Sequence, residues 1–75
     1  MRSREAFFDC TYVAGPERYT LKVRAWTAAD AESIFREELE SLGVDAPGLL
    51  LVVGPRGAGS RRSTYTPRRA LETVP

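Results

Sequence analysis

Only one stretch of this chain repeats its apolar residues at a helical period; two stretches alternating with a period of two precede it, and a short continuous apolar run follows. A lone amphipathic helix among strands restricts the fold to a single sheet with one covered face. Thr27 offers a hydroxyl at the N-cap, Asp30 follows where an acid favours the positive helix end, and Gly43 stands beyond the last turn. The spacing predicts a helix over 28–42. Ala28, Ala31, Ile34, Phe35, Leu39 and Leu42 share one stripe, and Glu32, Ser33, Arg36, Glu37 and Glu40 fall opposite as a solvated acidic face. Glu38 is the misfit on the apolar side, read as a side chain leaning out at the stripe's edge or paired with an arginine.

Before the helix, Ala6, Phe8, Cys10 and Tyr12 alternate with Phe7, Asp9, Thr11 and Val13, which predicts a strand over 5–13. Gly15-Pro16 marks a turn, and Tyr19, Leu21, Val23 and Ala25 alternate with Thr20, Lys22, Arg24 and Trp26, completing a hairpin. After the helix, Leu49 to Val53 is a continuous apolar run, expected to be a central strand covered on both faces. A glycine-rich loop over 54–60 leads to an edge strand over 61–66, whose arginines discourage edge-to-edge pairing. The expectation is an α+β fold: an antiparallel four-stranded sheet, β-β-α-β-β, strand order 2-1-3-4, with one helix packed on one face. Residues 1–66 form a single domain, and 67–75 a tail ordered only if it docks.

Seventy-five residues allow one modest core, since a chain this short buries only about 60% of its unfolded surface. No apolar run reaches the roughly 20 residues of a membrane helix, and Asp9 interrupts Ala6-Phe7-Phe8 before a secretory signal could form, so no membrane partner and a cytoplasmic location are expected. The net charge is only +1, but it is unevenly spread: 1–26 sum to +2, 27–53 to −5 and 54–75 to +4. The molecule should be electrically two-sided.

Chemistry is sparsely supported. Gly54-Pro55-Arg56-Gly57-Ala58-Gly59-Ser60-Arg61 has the glycine spacing of a phosphate-binding loop. Ser60 and Arg61 stand where such a loop needs Lys and then Ser or Thr to neutralise phosphate and hold magnesium, and the next segment is strand-like, not helical. With no histidine, a general base would have to be a carboxylate, and the helix carboxylates read as solvated. Cys10, the single cysteine, cannot close an intrachain disulfide and falls on the helix-facing side of its strand as an inert core thiol. The expectation is a protein that is not an enzyme, with no catalytic residue, cofactor or metal.

Binding surfaces carry more signal. Alternation turns Phe7, Thr11, Val13, Lys22, Arg24 and Trp26 away from the helix, placing aromatics beside bases on an uncovered face. Such a face suits a protein partner, a second copy of this chain in a homodimer, or single-stranded nucleic acid. The candidate partner-binding residues are Glu32, Glu37 and Glu40 on the acidic helix face and Lys22, Arg24 and Trp26 on the sheet. The alternative nucleic-acid set is Trp26, Arg24 and Lys22 with Arg56, Arg61 and Arg62; Arg68 and Arg69 extend that basic end.

The run from Leu21 to Phe35, LKVRAWTAADAESIF, resembles the strand-to-helix junction of small phage-encoded proteins, some anti-CRISPR inhibitors among them. The resemblance implies a non-enzymatic inhibitor that occupies a site on a larger host protein or nucleoprotein complex. No family binding residue carries over with it. The function expected is therefore occlusion of a site on such a partner, with a single-stranded nucleic-acid-binding module as the alternative.

Overall fold

The computed structural model describes residues 5–67. Its elements follow the order β1 (Ala6–Ala14), β2 (Glu17–Ala25), α1 (Ala28–Ser41), β3 (Gly48–Val53) and β4 (Ser60–Tyr65). The sheet runs β2-β1-β3-β4 with every neighbouring pair antiparallel, and α1 packs on one face. The α+β class and strand order expected from the periodicity are those observed.

Local chemistry accounts for each junction. β1 and β2 pair from Ala6–Ala25 to Ala14–Glu17 across the turn residues Gly15 and Pro16. Gly15 has φ 61, and the proline ring holds the next φ near −65°, a combination that defines a type II′ turn and matches the hairpin's twist. At the start of α1, Thr27 accepts from the Asp30 amide at 3.1 Å. At its end, Gly43 donates to the Glu40 carbonyl and Val44 to the Leu39 carbonyl, each at 3.0 Å, with Gly43 at φ 80. These two bonds make a complete Schellman cap.

The core lies between the sheet and α1. Phe8, Cys10 and Tyr12 of β1 meet Val23 and Ala25 of β2, Leu50 and Val52 of β3 and Tyr65 of β4, under Ala28, Ala31, Phe35 and Leu39. Tyr19 stacks on Phe35, rings 6.1 Å apart at 3°, and Tyr12 meets Tyr65 edge-on at 5.6 Å. Both phenols then fasten the α1–β3 connection: Tyr12 donates to the Ala46 carbonyl at 2.5 Å and Tyr65 to that of Val44 at 3.0 Å.

Four expectations need correction. Ile34 and Leu42, assigned to the buried stripe, are 44% and 53% exposed. Glu32, assigned to the solvated face, is only 7% exposed. β3 is covered on one face only: Leu50 and Val52 are buried, whereas Leu49 and Leu51 are half-buried and Val53 is exposed. Pro67, assigned to the tail, is fully buried, so the packed domain extends at least one residue past 66. The rest of the expected tail, with Arg68 and Arg69, lies outside the described residues. Among the described residues no helix is long and apolar enough to cross a membrane.

Gly54 shows how tightly the β3–β4 loop closes over the core. A Cβ there would sit 2.5 Å from Cε2 of the fully buried Phe8 ring. Gly54→Ala should therefore destabilise the fold by about 1–3 kcal/mol, the usual cost of overpacking. Urea denaturation measures this, and a midpoint equal to wild type would mean that the loop can move aside freely.

Candidate binding faces and the Glu32 clasp

β4 is poor in apolar residues, and its pairing decides what it presents to the helix. Val52 opposes Arg61, Leu50 opposes Ser63 and Gly48 opposes Tyr65, so Arg61, Ser63 and Tyr65 share the helix-facing side with Leu50 and Val52. Two of these three are polar and require partners. Glu32 supplies them. Its Oε1 accepts from Arg61 Nε at 2.6 Å, and its Oε2 accepts from the Ser63 hydroxyl at 2.6 Å and from Arg36 Nε and Nη2 at 3.1 and 2.8 Å. Arg36, one helical turn on, also donates to the Thr64 carbonyl at 2.8 Å.

These donors hold the Glu32 carboxyl ionised, taking it from the ordinary 4.5 down to about 2. The Ser63 hydroxyl lowers it most; burial pushes the other way, and the Arg36 and Arg61 guanidiniums add to the lowering. Glu32 is thus a structural clasp between α1 and β4 rather than a surface acid. It separates from Glu37 and Glu40, which remain on the exposed side of the helix. Arg61 is drawn into the same clasp, while Arg62 points to the opposite side of the sheet and Arg56 lies exposed in the β3–β4 loop. The candidate sets thus divide: Glu32 with Arg61, Glu37 with Glu40, Lys22 with Arg24, and Arg56 and Arg62 each apart.

The face away from the helix is a surface of a different kind. Phe7 opposes Arg24, Asp9 opposes Lys22 and Val53, Thr11 opposes Thr20 and Leu51, and Val13 opposes Arg18 and Leu49; Leu51 in turn opposes Arg62. An apolar spine of Phe7, Val13, Leu49, Leu51 and Val53 therefore runs along the two central strands. Arg18, Lys22 and Arg24 border it on β2 and Arg62 on β4. Phe7 is 57% and Val53 53% exposed. Lys22 pairs with Asp9 at 3.4 Å and Arg24 with Glu5 at 3.2 Å, both on the surface. Arg18 and Arg62 form no salt bridge among the described residues. Trp26 stands one residue past the Ala6–Ala25 pair, at the bend before Thr27, and is 53% exposed.

Sequence alternation found Phe7, Thr11, Val13, Lys22 and Arg24. It missed Leu49, Leu51 and Val53 because an uninterrupted apolar run shows no period. The β1–β3 register resolves it, setting Leu51 beside Thr11. Cys10 is fully buried, with its thiol donating to the Phe8 carbonyl at 3.8 Å; burial, assisted by Asp9, pushes its pKa up to about 11. That thiol is protonated at neutral pH and closed to solvent. Among the described residues no three Cys, Asp or Glu side chains converge where they could hold a metal ion.

The clasp has a pH signature. A carboxyl lowered in the folded state stabilises the fold above its unfolded pKa, and that contribution fades as pH falls from about 4.5 toward 2. Glu32→Gln should cost about 1–3 kcal/mol at neutral pH, since the half-exposed guanidiniums it leaves can rehydrate in part. The variant's stability should also fall less steeply than wild type across that acid window. Parallel acid profiles in both proteins would show that the clasp does not titrate with folding. Comparison with protein-family models, with curated proteins and with solved structures gives no match, so the functional reading rests on these surfaces.

Proposed function

We propose that this chain is a small, non-enzymatic, cytoplasmic interaction protein that binds and occludes a site on a larger protein through the open face of its sheet. The observation that carries this reading is the apolar spine of Phe7, Val13, Leu49, Leu51 and Val53, left uncovered among the described residues and bordered by bases on both sides. An apolar centre with a polar rim is the anatomy of a protein interface, and aromatic and arginine side chains are its commonest anchors. Arg18 and Arg62, at opposite edges, favour a partner with carboxylates around an apolar patch. The groups bordering this side, Lys22 with Asp9 and Arg24 with Glu5, are exposed ion pairs, and among the described residues the carboxylate held well below its ordinary range, Glu32, is occupied by its donors on the other side. The likeness of 21–35 to phage-encoded inhibitors is in keeping with occlusion.

The acidic helix face supports partner binding less well, because Glu32 is withdrawn from it. Single-stranded nucleic acid is also less favoured. Phe7 and Trp26 could stack bases, but Lys22 and Arg24 already face Asp9 and Glu5, and these carboxylates repel phosphate.

Capture from nuclease-treated host lysate, compared across variants, tests this reading. Phe7→Ser with Val53→Ser should lower partner retention at least about tenfold, the loss of one hot spot or more, while Glu37→Gln with Glu40→Gln should retain the partner. Equal capture by the sheet-face variant would remove the open face from the function. Salt-sensitive quenching of Trp26 fluorescence by an oligonucleotide would instead favour nucleic acid.

A further inference from the structure

The β1–β2 hairpin reaches beyond the end of α1, and a second feature lies there, on the helix side of the sheet. Tyr12 and Tyr19 are direct cross-strand partners, and both border a cavity of about 420 Å³, the buried Tyr12 from beneath and the half-buried Tyr19 from the side of β2. Leu42, the C-cap residue of α1, and Val44 supply aliphatic walls. The cavity is within the range of about 300–1,000 Å³ typical of small-molecule sites.

Its lining holds two carboxylates and one arginine. Glu17 shares the helix-facing row of β2 with Tyr19, and Asp45 reaches the same cavity from the α1–β3 connection. Arg18 also borders it, but its pairing with Val13 assigns it to the other face of the sheet. The Tyr12 phenol responds to this setting: burial raises its pKa first, and the nearby charges of Glu17 and Asp45 raise it further. α1 ends beside the cavity, and its own last turn carries no basic residue, which leaves the negative end of the helix dipole on this side.

Two aromatic rings, aliphatic walls and two carboxylates complement a cation attached to an apolar body. We propose that this cavity binds a small organic ammonium carrying an aryl or alkyl group. The site is on the opposite side of the sheet from the partner-binding face and stands independently of that reading.

NMR titration of the full chain with phenethylammonium, following the ring signals of Tyr12 and Tyr19, tests it. Saturable shifts of both rings are expected. The neutral isostere 2-phenylethanol should bind at least about fivefold more weakly, since it lacks the cation–π and carboxylate attraction. Glu17→Gln with Asp45→Asn should weaken phenethylammonium about three- to tenfold, and added salt should weaken it in wild type. The alcohol comparison needs no variant and so does not depend on any variant folding. Absent or non-saturating shifts, or equal affinity for the alcohol, would overturn the proposal. Tighter binding of a lysine derivative blocked at both ends would overturn it in favour of a peptide side chain. A gain in phenethylammonium affinity on Arg68→Ala with Arg69→Ala would overturn it by making the chain's own arginines the occupants.

Discussion

The position of the helix depends on a polar contact, the carboxylate of Glu32 held between α1 and β4. A strand reading Ser60-Arg61-Arg62-Ser63-Thr64-Tyr65 cannot join the core by apolar burial alone, because only Tyr65 on it is buried. Pairing with β3 sets Arg61 and Ser63 on the helix side, where the carboxylate of Glu32, only 7% exposed, would be costly without them. Glu32 meets both, and Arg36 closes the arrangement by donating to the Thr64 backbone. Such a contact adds little net energy compared with well-packed apolar side chains. Its effect is directional: it fixes which part of α1 lies over which part of β4, where greasy contacts would tolerate sliding.

With the helix held there, the dimensions of the elements decide what stays uncovered. Fourteen helical residues span about 21 Å. Each nine-residue strand of the first hairpin reaches roughly 30 Å, whereas six-residue β3 and β4 reach roughly 20 Å. The hairpin therefore outruns the cover, and the cavity beside Tyr12 and Tyr19 forms at its overhang. Leu42 belongs to the same mismatch. It follows Leu39 by three residues and Phe35 by seven, in phase with the buried stripe, yet it is 53% exposed because the core ends before it.

How far the sequence alone could be read follows from which features are local. The first hairpin, the Thr27 cap and the Gly43 stop rest on residues close in the chain, and the place of β3 inside the sheet follows from its being the most apolar strand; each was legible. The phase of the helix was not. Glu32 stands one turn after Ala28 and two turns before Leu39, at one edge of the buried stripe, but a helical wheel assigns a glutamate there to water. What overrides that rule is a strand about thirty residues downstream, whose inward-facing arginine and serine become visible only when β3 and β4 are paired. The open face divides in the same way. Its β1 and β2 residues alternate visibly, whereas Leu49 and Leu51 sit in an unbroken apolar run that hides which of its members face out.

The distribution of bases also bears on why this face should select a different protein over a second copy of itself. Face-to-face association would set Arg18, Lys22, Arg24 and Arg62 against the same residues, with only Asp9 and Glu5 to offset them. Pairing β2 edge to edge fares no better: antiparallel about Leu21 it opposes Arg18 to Arg24, and about Thr20 it opposes Arg18 to Lys22. Like charges directly opposite each other destabilise a strand pair. The apolar spine favours burial while its basic border penalises a matching border. On the proposed binding role, the two conditions would be met together by a surface whose apolar centre is ringed by acids, and the charge pattern would then act as a filter on partners as well as an attraction to one.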